Sequence, residues 1–132
     1  MPTRPESVRG RRGSAVVEFV LVLPLVLVVV LALVQVGLLV RDRLLVEAAA
    51  RAGARAAALQ ADPGEVTRSA LAAAPGLDPS LAAVEVARAG ARGDPVTVEV
   101  TYDDPVRLPL IGWLVGTSVT MHATAVERQE FG

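Results

Sequence analysis

The chain has no cysteine and no lysine, a single histidine, His122, and very few aromatics: two Phe, one Tyr and one Trp. Without cysteine there are no disulfides, no thiolate metal sites and no cysteine nucleophile. One histidine leaves almost nothing for a metal site or a histidine-based catalytic pair, and no cofactor is expected. Thirteen basic residues, all arginine, against fourteen acids give a net charge of −1. That balance lacks the basic excess of a nucleic-acid binder. With so few rings, any core must be made of Val, Leu and Ala. Yet 52% of the 132 residues are hydrophobic, more than a small soluble domain uses, and small domains bury little surface per residue. The surplus calls for a membrane anchor or a partner surface.

The surplus is concentrated near the N-terminus. Residues 1–13 (MPTRPESVRGRRG) are polar and net positive, and Pro2, Pro5, Gly10 and Gly13 work against a stable helix there. Residues 14–40 are apolar apart from Ser14, Glu18 and Gln35, and Phe19 to Val34 contains no polar side chain. Phe19 to Val40 is 22 residues, which as a helix spans roughly 33 Å, matching a hydrocarbon core of about 30 Å. A buried core helix is the alternative, but so short a chain has too little remaining sequence to cover one on all sides. The run therefore predicts a single transmembrane helix over 14–40. Pro24 lies one turn inside it, where a membrane helix tolerates proline and any kink better than a soluble one.

Past Val40 the helical pattern continues with lower hydropathy over 41–61. Arg43, Glu47, Arg51 and Arg55 recur every four residues as a polar stripe with two local ion pairs. Leu44, Leu45, Ala48, Ala52, Ala56 and Leu59 are expected to form the opposite, apolar face. Ala49, Gly53 and Ala57 either permit close approach of another backbone or simply belong to an alanine-rich helix. Asp62-Pro63-Gly64-Glu65 signals the start of a second helix, with Asp as cap and Pro in first position, and Pro75-Gly76 its stop.

After Gly76 the period changes from helical to alternating. Leu81–Arg88 reads as a weak strand, and Val96–Tyr102 as a strong one with Val96, Val98, Val100 and Tyr102 on one side and Thr97, Glu99 and Thr101 on the other. Ala89–Pro95 is the turn between them. Thr117–Val126 alternates again, with Val119, Met121, Ala123 and Ala125 together. The apolar 105–115 segment folds over the sheet or meets the membrane or a partner. The fold class expected is α+β: a long N-terminal transmembrane helix continuing into an amphipathic helix, packed on a small antiparallel sheet, with residues 62–132 as the small domain.

Glu18 stands inside the apolar run, where a carboxylate costs about 2.5–3.5 kcal/mol at mid-span and less near the interface. A harmless acid reaching the interface is the plain explanation; an ionisable group within a membrane span otherwise points to function. It follows Arg11-Arg12-Gly13-Ser14, and a cut after Gly13 would make Ser14 the first residue and Glu18 the fifth. The arrangement resembles a type IV prepilin signal rather than an ordinary secretory signal, whose cleavage site follows the apolar segment.

The string from Gly13 to Phe19, the Leu23-Pro24 pair and the Ala49–Ala57 stretch resemble the TadE-like family, small pseudopilins of the tight-adherence pilus system. In outline, the Val98–Tyr102 and Val119–Ala125 strands also fit. The resemblance implies a pilin-like fold, a leader (1–13) removed by a prepilin peptidase between Gly13 and Ser14, and assembly contacts through Glu18 and Phe19. It implies as partners the membrane, the prepilin peptidase, other pilin or pseudopilin subunits and the assembly platform, with no nucleic acid. A buried carboxylate needs a cation, which the freed amine of a neighbouring subunit would supply. The location implied is a bacterial cell membrane, with N-terminus cytoplasmic and domain outside; the near-even arginine count on the two flanks does not itself decide orientation. Two other classes compete. One is an unprocessed membrane-anchored interaction domain. The other is an enzyme using Asp103, Asp104 and His122, although adjacent aspartates before Pro105 more often make a turn; no active site is expected.

Overall fold

The structure, a computed structural model, describes Met1, residues 9–105 and residues 116–131. In chain order it has helix α1 (Arg9–Leu59), helix α2 (Pro63–Ala72), a 3₁₀ turn (Pro79–Leu81), and strands β1 (Ala82–Arg88), β2 (Pro95–Pro105) and β3 (Ser118–Arg128). These form two compact units, Met1–Val34 and Gln35–Gly132.

In the first unit α1 is unaccompanied. Every residue from Gly13 to Val30 is exposed, and the most apolar window of the helix, with mean hydropathy 3.1, contains no buried residue. Pro24 lies within α1 without ending it. The leader prolines and glycines predict no stable helix before Ser14, but the helix begins at Arg9. No proline follows Pro5 in the leader, and a turn added to an existing helix needs no new nucleus, so propagation outweighs the roughly 1 kcal/mol cost of each glycine.

The second unit is a helix pair on a three-stranded antiparallel sheet of order β1-β2-β3. The α+β class expected from the sequence is the class observed. β1 and β2 pair with Val84 opposite Val100, and β2 and β3 with Val100 opposite Ala123. That register puts Val96, Val98, Val100 and Tyr102 on the buried inner face with Met121, as the alternation predicts. Each fully buried valine contributes on the order of 1.5 kcal/mol. Because the core is Val and Ala, the layers approach closely. A Cβ on Gly53 would meet Val98 Cγ1 at 3.0 Å and Ala70 Cβ at 3.2 Å, so this glycine is the site where α1, α2 and the sheet come together. Ala49 and Ala57 are buried with it.

The buried side of α1 is Val46, Ala49, Ala50, Ala54, Ala57 and Ala58. This corrects the expected apolar face, since Leu44 and Leu59 are 58% and 59% exposed. Around Gly53 the helix turns its small residues toward the sheet because they fit the spacing; of the expected face Leu45 and Ala56 pack half-buried against the core, while Leu44 and Leu59 stay outside. Asp62 caps α2 by accepting a hydrogen bond from Gly64 N at 3.0 Å. Glu65 pairs with Arg68 rather than reaching back to the cap, and α2 ends at Ala72, before the Pro75-Gly76 stop. The end of α1 is closed from the sheet: Arg88 of β1 donates to the carbonyls of Ala57 and Gln60 at 2.6 and 2.8 Å and stacks 5.2 Å over Phe131.

The aspartate pair is not a turn. β2 runs through Asp103 and Asp104 to Pro105, because β3 supplies partners along its whole length, Asp103 opposite Thr120 and Asp104 opposite Val119. Of the apolar 105–115 segment, residues 106–115 lie outside the described residues, as does most of the leader.

Candidate functional site

The head of the apolar helix brings together Gly13, Ser14, Glu18 and Phe19 on α1. Ser14 and Glu18 are one turn apart, about 6 Å along the axis, and so share a face. Glu18 is exposed and makes no hydrogen bond or ion pair among the described residues. Phe19 is 66% exposed. Gly13 carries no packing or backbone demand: an added Cβ would meet nothing within 4 Å, and φ is not positive there. In a helix a glycine costs about 1 kcal/mol relative to alanine. Nothing within the described chain accounts for a glycine at this position, nor for an acid inside the run.

The residues weighed for catalysis do not converge. Asp103 faces outward and accepts a hydrogen bond from Thr120 Oγ1 at 2.6 Å, while Asp104 is buried on the other face. His122 Nδ1 lies 3.2 Å from Thr101 Oγ1 and 3.7 Å from Glu99 Oε1, on the exposed outer face. Among the described residues no group of three or more His, Asp or Glu is placed to hold a metal ion. The polar stripe of α1 is as spaced: Glu47 sits 3.5 Å from Arg43 and 3.7 Å from Arg51.

Two features escaped sequence reasoning. Asp42, just past the apolar run, is fully buried beside Arg41, whose Nη1 is 3.3 Å away; an acid within an Arg-Asp-Arg string reads as solvated surface. Asp78 caps the 3₁₀ turn by accepting from Ser80 Oγ at 2.7 Å and Ser80 N at 2.9 Å, bonds that hold its carboxyl below the ordinary value. Its own N–H donates to Tyr102 Oη at 3.4 Å, and the Asp-Pro-Ser string was the available signal.

The architecture is that of an α+β protein with one N-terminal helix long and apolar enough to cross a membrane. Within it, residues 13–55 match the model of the family described as TadE-like protein, as the resemblance of the N-terminal string led one to expect. The matched segment starts at Gly13, contains Glu18 and ends at Arg55; the sheet lies outside it. No curated protein and no solved structure matches the chain.

Proposed function

We propose that this chain is a membrane-anchored pseudopilin or minor pilin of a tight-adherence pilus, cut after Gly13 by a prepilin peptidase. The observation that carries the proposal is the head of α1, where Gly13 and Glu18, neither with a role among the described residues, stand five residues apart at the start of the segment matching TadE-like proteins. A peptidase acting after Gly13 is an external reason for the glycine. An amine released at Ser14 of a neighbouring subunit is an external reason for the acid. One turn separates the two groups on each helix, so parallel helices offset by about 6 Å set the amine of one beside the carboxylate of the next.

In this reading the chain works by assembly and has no active site of its own. Residues 14–40 span the membrane with the leader in the cytoplasm, where the peptidase acts, and the small domain outside. The exposed apolar surface from Val16 to Val30 meets lipid in the free subunit and other subunits or the assembly platform after extraction. The test is the mature N-terminus. Mass spectrometry of membrane fractions from cells with a working prepilin peptidase should find Ser14 first, and Gly13→Leu should leave the intact precursor. A chain still beginning at Met1 or Pro2 in those cells sinks the proposal.

A further inference from the structure

The folded unit begins inside the apolar run. Gln35–Gly132 is one compact unit, yet the run continues to Val40, so residues 35–40 belong to both. Over this stretch the helix is the reverse of a water-facing one. Gln35 and Asp42, two turns apart on one face, are buried at 3% and 0% exposure, and Leu39 between them packs against the core. Val36, Val40 and Leu44, at four-residue spacing on another side, are all more than half exposed. Arg41 and Arg43 follow the run with their side chains exposed. Polar residues turned inward and valines outward suit a helix that faces lipid, and arginines just past it reach the headgroup layer.

The sheet ends at the same place. β2 runs against the direction of α1: Val96 pairs with Arg88, which bonds the carbonyl of Ala57, and Val98 meets Gly53. Farther along β2, Tyr102 accepts a hydrogen bond from Asp78 N at 3.4 Å. Two residues before Asp78, Gly76 lies against Arg41 and Leu45, where an added Cβ would meet Leu45 Cδ1 at 2.9 Å. Three more residues, about 10 Å, carry β2 to Pro105, opposite Ser118 of β3. The chain between them therefore leaves and returns at the end of the domain where α1 bears Val36 and Val40. By sequence, 106–115 (VRLPLIGWLV) is apolar but for Arg107 and holds the only tryptophan, Trp113. Neither face of the sheet suits it. The inner face is packed against the helices, and the outer face near Pro105 displays Asp103 and Glu99 to solvent, whose water an apolar cover would strip.

We infer that this end of the domain is seated in the lipid interface, with α1 from Gln35 to Arg43 and the apolar 106–115 segment both in contact with lipid. The inference rests on the membrane-anchored reading above, because the apolar run supplies the bilayer. Leucine, isoleucine and valine of the segment favour the acyl region, while Trp113 and Arg107 favour its boundary with the headgroups. The domain then has two attachments to the membrane, a spanning helix and an interfacial segment. Together they fix a tilt that one helix leaves free, and they hold the end of the sheet against the bilayer.

Trp113, as the only tryptophan, is a native reporter. The full-length chain in phosphatidylcholine–phosphatidylglycerol vesicles should lose most of its tryptophan emission when the acyl chains carry bromine, and little when acrylamide is added to the water. Two controls use a Trp113→Phe background. Val28→Trp, in mid-run, should be quenched by brominated lipid, and Leu59→Trp, at the far end of α1, by acrylamide. Both positions are exposed, so the variants should fold. Val28→Trp untouched by brominated lipid overturns the anchored reading and this inference with it. With Val28→Trp quenched, Trp113 reached by acrylamide alone overturns the lipid contact and leaves the anchor standing. Trp113 reached by neither quencher overturns it in favour of burial within the domain or against a second copy. Leu59→Trp quenched by brominated lipid along with Trp113 overturns the end-on seat, since the domain then lies flat on the membrane.

Discussion

Arginine at position 88 does what a helix end requires and no residue of the helix supplies. The last carbonyls of an α-helix lack intrahelical donors, and the dipole there favours a cation. α1 has no basic residue in its last turn; Arg88 reaches across from β1 to the carbonyls of Ala57 and Gln60. Hydrogen bonds from a charged donor are worth about 1.5–3 kcal/mol in total net effect when one partner is removed. Arg88→Ala should lower the unfolding free energy of the domain by that order, read as a fall in the urea midpoint with little change in slope. Arg88→Lys should lie between, since an ammonium keeps the charge but lacks the two-pronged fork. In the sequence Arg88 is merely the last residue of a weak strand; what it bonds to lies 31 residues away.

At the scale of elements, the sheet trades stability for the charge it displays. Glu85 and Glu99 are directly opposed across β1 and β2, where opposite charge or a Thr pair would favour pairing and like charge disfavours it by about 0.2–1 kcal/mol. Glu85→Thr should therefore raise the thermal midpoint of the domain slightly, read from its melting curve. A lowered midpoint would show that Glu85 serves the fold. The strands themselves were legible from the chain, because side chains alternate at a period of two and Val96, Val98 and Val100 are all on one side. Their pairing was less so. β2 extends through Asp103-Asp104-Pro105 although those residues suggest a turn, since an antiparallel neighbour along the whole strand outweighs local turn preference. The face of α1 was misjudged for a related reason. Hydrophobicity favours Leu44 and Leu59, but beside Gly53 on Val98 the close spacing takes alanine, and of the expected leucines Leu45 alone packs half-buried against the core.

For the whole molecule, the separation into Met1–Val34 and Gln35–Gly132 keeps the residues proposed for assembly apart from those that hold the fold. Glu18 makes no hydrogen bond or ion pair among the described residues, and removing a charge from an apolar helix favours insertion, by about 2.5–3.5 kcal/mol at mid-span and less near the interface. Glu18→Val should reach the membrane at least as well as the parent and leave domain stability unchanged, but fail to co-purify with pilin subunits. Unchanged co-purification would mean that the acid only reaches back to the interface.

What the sequence by itself determined is the part that local chemistry dictates. The apolar run, its length against a bilayer, the glycine and acid at its head, and the alternation of the strands all depend on composition and period alone, and they survive any tertiary arrangement. Tertiary structure decided what depends on distance in space: which side of α1 is buried, that Arg88 of β1 closes the end of α1 through the carbonyls of Ala57 and Gln60, and that Asp42 is inside. The reason is physical. Hydropathy and period are carried by neighbours along the chain, whereas burial and charge complementarity belong to residues brought together only when the layers close on Gly53.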